Sequence, residues 1–167
     1  MHNELTKEDI KKMEEELDYR MGVLRPEILE EVKFARSHGD LSENFEYKAA
    51  KQRRGKNESR IRYLKNMIKT AVIIEDNSAP DEAGIFDKIT YYIEADDEEE
   101  TVMLVTTVRH DALSNIVSIE SPIGKALLGR KTGEKVTVFL ENGFSYDVII
   151  KNIEKGVDDG SLSIRAY

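Results

Sequence analysis

Asp40 and Glu43 are the residues of this chain whose type and spacing best suit chemistry. They stand in the stretch HGDLSENFEY, His38–Tyr47, which holds a third carboxylate, Glu46. Two acids three residues apart lie within one helical turn and can share a hard cation. Mg²⁺ prefers oxygen ligands and is often held by one or two carboxylates, with phosphates and water filling the rest. Two acids alone do not complete such a site. They would add to one in a partner that already holds phosphates and a first metal ion. A two-metal site stabilises the attacking and leaving oxygens of phosphoryl transfer. The same residues have a purely local reading. Gly39 is a good helix stop, and Asp40-Leu41-Ser42-Glu43 has the spacing of a capping box. A turn between two helices needs nothing more, and spacing leaves both readings open.

Beside this stretch the chain is locally basic. Lys48 to Lys69 holds nine basic residues and one acid, Glu58. Such a run suits steering along a nucleic-acid backbone, and it is equally the pattern of a solvated helix face. The net charge of −8 conceals an asymmetry. Residues 1–74 carry 16 basic and 14 acidic side chains, and residues 75–167 carry 9 and 19. A basic stripe on an acidic protein argues for a local, directed contact over general nucleic-acid binding.

Two helices must position these groups. Thr6-Lys7-Glu8-Asp9 has the form of a helix start. Apolar residues follow at Ile10, Met13, Leu17, Met21, Leu24, Ile28, Val32 and Ala35, an 11-residue repeat that predicts a nearly straight helix pair. Pro26 predicts a kink or short break near Leu24–Arg25. The second helix is expected over Leu41–Lys69, with Phe45, Ala49, Ile61, Leu64 and Ile68 as its apolar positions. Between Lys51 and Arg60 it has no large apolar residue, so this half has little to bury. A helix of that length spans roughly 45 Å at 1.5 Å per residue. The pattern describes a long, thin probe with His38–Glu46 at its tip.

After Asn77-Ser78-Ala79-Pro80-Asp81 the period shortens to that of strands. Candidates are Ile85–Glu94, Thr101–Val108, Asn115–Glu120, Lys135–Leu140 and Ser145–Ile153. Asp96–Glu100 reads as an acidic turn, Glu141-Asn142-Gly143 as a hairpin turn, and Ser161–Arg165 as a further edge strand. One helix is expected from Ser121 as cap and Pro122 in the first turn to Gly129 as stop. The organisation expected is a helical hairpin over 1–76, a linker at 77–81 and a small α+β domain over 82–167. The chain has no cysteine, and its three histidines are far apart. That argues against disulfides, thiolate chemistry and a metal site of its own. No apolar run approaches the length of a membrane span and no signal-peptide pattern is present, so a soluble cytoplasmic protein is expected.

HGDLSENFEYKAAKQRRGKNESRI closely resembles the tip and second helix of the GreA/GreB transcript-cleavage factors of bacterial RNA polymerase. RPEILEEVKFARSHGD resembles the end of their first helix, and SPIGKALLG, Ser121–Gly129, the helix of their C-terminal domain. The resemblance covers about residues 5–155. It implies an antiparallel coiled coil that enters the polymerase secondary channel, followed by an FKBP-like domain that docks on the channel rim. It implies that Asp40 and Glu43 help bind a second Mg²⁺, shared with the polymerase, and activate water to cleave backtracked RNA at its 3′ end. The chain would then hold no intrinsic cofactor, act as a monomer and be no enzyme itself. Tyr47 matches the family's tip tyrosine. The basic patch matches Arg53, Arg54 and Arg60, and with Lys48 these are the candidates for RNA contact. Glu120, Ser121 and Pro122 match the docking region.

Phe45 departs from the family, where a small residue is usual, and Ile85–Val117 departs from its usual strand pattern. These departures keep a second function in view, a channel-binding paralogue that regulates or inhibits without stimulating cleavage. A prolyl isomerase, suggested by the C-terminal fold alone, finds little support because the aromatics of residues 80–167 fall at core or strand-pair positions.

Overall fold

The computed structural model describes residues 3–40 and 43–166. They form a helical unit, Ile10–Ala71, and a sheet unit that combines residues 3–9 with Val72–Ala166.

Helix α1, Lys7–Tyr19, begins with the expected reciprocal cap. The Asp9 amide donates to Thr6 Oγ1 at 3.1 Å, and the Thr6 amide donates to Asp9 Oδ2 at 2.9 Å. A single π-helical turn, Arg20–Leu24, then leads into α2, Arg25–Arg36. Proline has no N–H to give and crowds the carbonyl four residues back. The wider turn before Pro26 takes up that misfit, closed by the Arg25 amide donating to the Arg20 carbonyl. The break expected at Leu24–Arg25 is therefore a π-turn, with the helix continuing beyond it.

Helix α3, Phe45–Thr70, packs against α2. It starts at Phe45, four residues later than the spacing predicts. The buried apolar set is Met13, Ile28, Val32 and Ala35 on the first helices and Ala50, Ile61, Leu64 and Met67 on α3, with Ile28, Val32 and Ala50 in one cluster. Ala50 is buried where Ala49 was expected, and Ile68 is only half-buried. Every side chain from Lys51 to Lys56 is exposed, as the lack of large apolar residues predicts. Polar pairs join the helices where apolar packing is thin. Arg25 makes a two-pronged contact with Glu58 at 2.7 and 2.8 Å, and Arg60 does the same with Glu16 at 2.9 Å each. Asn57 accepts from Arg20 Nη1 at 3.0 Å and donates back to the Arg20 carbonyl in the π-turn.

The sheet unit contains a short parallel pair, β1 (Glu4–Leu5) with β2 (Val72–Ile73). Its main sheet has five strands: β3 (Lys88–Ile93), β4 (Glu98–Val105), β5 (Ile116–Ser118), β6 (Lys135–Phe139) and β7 (Ser145–Glu154). Their order is β5-β4-β3-β7-β6, with β4–β5 parallel and the other neighbours antiparallel. Alternation sets the core face: Ile89, Tyr91 and Ile93 of β3 join Val102, Leu104, Val136, Val138, Val148 and Ile150. Leu127 of α4, Pro122–Leu127, completes it.

All five predicted strands are present; β3, β5 and β6 are shorter than expected, β4 is shifted three residues toward the N-terminus, and β7 runs one residue further, to Glu154. The acidic turn is corrected: Glu98–Glu100 already belong to β4, and Tyr91 Oη donates to the Glu100 carboxylate at 2.7 Å. The tail is corrected too. Ser161–Arg165 is not a strand, and the Arg165 amide donates to the Val108 carbonyl at 2.8 Å. Asp9, fully buried, accepts from Arg109 Nε at 2.5 Å and from Thr106 Oγ1 at 2.8 Å. Arg109 also reaches Asp158 of the tail. Helix α1 thus begins on the buried ionic centre of the sheet unit.

Candidate functional site

The end of α2 and the start of α3 frame the turn that carries the acids. The Ser37 and His38 amides donate back to carbonyls of the last turn of α2. Gly39 then takes φ +100°, a conformation natural to glycine, and the chain leaves the helix where the sequence predicts a stop. Asp40 follows, exposed and outside any helix, and Glu43 is exposed in a bend. Leu41 and Ser42, the middle of the expected capping box, lie outside the described residues.

The cap of α3 belongs to another residue. Asn44 takes an extended backbone, and its Oδ1 accepts from the Tyr47 amide at 2.9 Å. Its Nδ2 donates to the Ala35 carbonyl at 2.7 Å, which ties the turn to the end of α2. The expectation that Asp40 and Glu43 cap α3 is corrected by this geometry. Asparagine caps as well as aspartate and brings no charge. Both carboxylates thus stand exposed ahead of a helix start that is already satisfied. Among the described residues no group of three or more His, Asp or Glu is placed to hold a metal ion. Among the described residues, Asp40 and Glu43 are the exposed carboxylates of the turn, and Glu46 follows in the first turn of α3.

The basic candidates separate by helix face. Arg60 falls on the packing face of α3, with its guanidinium on Glu16 and 5.0 Å from the Tyr63 ring. Its expected contact with nucleic acid does not fit this buried placement. Burial pushes the Glu16 carboxyl up, but Arg60 and Arg20 together overcome that and hold it below the ordinary glutamate range. Arg53 is half-exposed and engages Glu31 and Glu27 of α2. Lys48 is exposed, its ammonium 5.6 Å from the centre of the Phe45 ring. Arg54 is exposed and lines a groove of about 220 Å³ with Arg25, Ile28 and Leu29. A cationic side of α3 emerges, interrupted by Glu58, which stands between Arg54 and Arg62. Lys51, Arg54, Arg62, Lys65 and Lys69 are all exposed, and at 100° per residue they fall on one side of α3, away from its buried set.

In the sheet unit, Ser121 is the cap of α4 as predicted. Its Oγ accepts from the Gly124 amide at 3.1 Å and donates to the Ser118 carbonyl at 2.6 Å. A Cβ at Gly124 would collide with that same carbonyl, so glycine is required there. Pro122 takes the first helical position, half-buried, and Glu120 is braced by Thr107 Oγ1 at 3.2 Å.

Two family models together span most of the chain. One, "Transcription elongation factor, N-terminal", matches residues 3–73, and the other, "Transcription elongation factor, GreA/GreB, C-term", matches residues 77–155. The chain belongs to the GreA/GreB family of transcription elongation factors. It is 46% identical to transcription elongation factor GreA of Geobacillus kaustophilus over 140 residues, 83% of this chain and 89% of that protein. It is 43% identical to GreA of Leuconostoc mesenteroides over 152 residues, 90% of this chain and 95% of that protein. Among solved structures, the Gfh1 protein of Thermus thermophilus is similar at a TM-score of 0.43 and 22% identity, with 93% of this chain and 100% of that chain covered. The GreA/GreB models cover the acidic turn and the α4 cap alike. Asn44 is the site residue that sequence reasoning missed. Its only signal was an amide side chain directly before Phe45, in competition with the better-spaced Asp40 and Glu43.

Proposed function

We propose that this chain binds bacterial RNA polymerase, inserts the turn end of its hairpin into the secondary channel and stimulates the polymerase's own cleavage of backtracked RNA. In this reading the hairpin is the family's antiparallel coiled coil and the sheet unit its FKBP-like docking domain, presenting Glu120, Ser121 and Pro122. The protein acts as a monomer in the cytoplasm, on the RNA 3′ end of a backtracked complex. The observation that carries the reading is the Asn44 cap, because the α3 start is satisfied by a neutral side chain while the Asp40 and Glu43 carboxylates stand exposed ahead of it. Two exposed carboxylates supply hard oxygen donors suited to Mg²⁺, and the polymerase and RNA phosphates would supply the rest. A magnesium ion so shared would polarise a phosphoryl oxygen and acidify its bound water. Asp40 and Glu43 would hold and orient it, and Lys48, Arg53 and Arg54 favour approach to the RNA backbone.

The test is RNA cleavage in a stalled, backtracked complex. Wild-type protein is expected to stimulate cleavage, and Asp40→Asn and Glu43→Gln to abolish stimulation while still binding polymerase. Undiminished cleavage by both variants would remove the metal role. Binding by the wild type without stimulation would instead make this protein a regulatory occupant of the channel.

A further inference from the structure

We infer that the turn end of the hairpin carries an aromatic platform for the unpaired bases of single-stranded RNA, with Phe45 as its principal ring. This inference rests on the function proposed above and names what Phe45 does there. Phe45 is the first residue of α3 and is 81% exposed. Burying such a ring is favourable, and this position forgoes that gain. The helix start does not require the ring, because Asn44 supplies the cap.

Phe45 has company. Phe34 is 65% exposed, and its ring meets His38 edge-on at 4.5 Å. Tyr47 is half-buried with the Arg36 guanidinium 5.7 Å from its centre. Three of the five aromatic residues in Ile10–Ala71 therefore fall within residues 34–47, each beside a cationic or imidazole group. Aromatic faces interleaved with cations are the surface that single-stranded nucleic acid recognises. Bases stack on the rings, and the cations offset the phosphates. A protein partner would call for a contiguous apolar patch, whereas Phe45 and Phe34 each stand beside a cationic or imidazole group, and Tyr47 packs on the cluster of Ile28, Val32 and Ala50.

The acids sharpen the choice. Glu43 and Glu46 flank Phe45 and repel an approaching phosphate, whereas a neutral base meets no such penalty. The ring thus favours the base, and Lys48 is placed for the phosphate. Phe45 lies two residues after Glu43, at most about 7 Å along the chain. Ring and carboxylates therefore act on the same end of the transcript, and stacking would hold the extruded base while the carboxylates act beside it.

The test uses full-length protein and a backtracked complex whose unpaired RNA 3′ end carries 2-aminopurine, a base whose fluorescence falls on stacking. Wild type and Phe45→Tyr are expected to quench the probe. Phe45→Ala and Phe45→Leu are expected to lose quenching and to need roughly fivefold to hundredfold more protein for half-maximal occupancy of backtracked complexes. Their binding to complexes that are not backtracked should be unchanged. Absence of quenching by the wild type would overturn the platform, as would a Leu variant equal to wild type, which would show apolar packing in its place. Asp40→Asn separates the two proposals. It should lose cleavage and keep quenching, so that failure of the metal role leaves the platform standing and failure of the platform leaves the metal role intact.

Discussion

Asn44 uses both ends of its amide. One end caps α3 and the other holds the last turn of α2. Losing the cap alone costs about 1 kcal/mol. Asn44→Ala should therefore lower global stability by about that amount or slightly more in urea unfolding followed by helical circular dichroism. Asp40→Asn and Glu43→Gln should stay within about 0.5 kcal/mol of wild type, as exposed substitutions away from caps do. Equal losses in all three would return the acids to a structural role. The competition explains what was legible here. Gly39 as a stop and the acids as a pair could be read from residue type. Three cap-competent side chains, Asp40, Ser42 and Asn44, stand within five positions. Spacing to a downstream Glu favours Asp40, while the connection back to Ala35 decides for Asn44, and no local pattern encodes a bond nine residues apart.

At the scale of the hairpin, charge replaces apolar packing where the helices have little to bury. The apolar repeat revealed α1 and α2 and their packing face, and Pro26 revealed the interruption. The pairs that join α3 to the first helices span 22 to 44 residues, which periodicity cannot register. Arg60 illustrates the consequence. In a run of nine cations it looks like a ligand for phosphate, yet its place on the wheel puts it opposite Glu16. Breaking a buried pair by removing one partner costs about 3–5 kcal/mol, because it strands the other charge. Glu16 is a quarter exposed, so Glu16→Ala should cost about 3 kcal/mol. Loss of less than about 0.5 kcal/mol in thermal unfolding would show that water replaces Glu16 freely. The pair also predicts a pH dependence. The folded Glu16 pKa is depressed, so its stabilisation is complete above the unfolded glutamate value of about 4.3. It is lost as pH falls through the lower folded value. The stability difference between wild type and Glu16→Gln should therefore shrink below about pH 4 and be constant at neutral pH. A difference unchanged through the acid range would rule out Glu16 as its source.

In the whole molecule, the chain enters the sheet unit at residues 3–9, leaves it through the hairpin and re-enters at Val72. The β1–β2 pair sets Glu4 beside Val72 and Leu5 beside Ile73, although 68 positions separate each pair. Two-residue strands carry no readable alternation, so this closure was invisible in the sequence, whereas the longer strands of the main sheet were not. The closure is energetic as well as topological. Asp9 and Arg109 are both fully buried, and each relies on the other to offset its desolvation. A fragment that begins at Val72 keeps Arg109 with Asp158 but loses its fully buried carboxylate and the β1 strand. It should be less stable than the intact sheet unit by about 3 kcal/mol or more. Rejoining residues 3–9 to Val72 through a flexible Gly/Ser linker should recover most of that loss, since the linker restores the strand and the charge without the hairpin. Tyrosine near-ultraviolet dichroism reads the transition from the sheet unit, which contains Tyr91, Tyr92 and Tyr146. Equal midpoints for the fragment and the rejoined chain would mean that Asp158 alone suffices for Arg109, and that residues 3–9 ride on the sheet unit without holding it together.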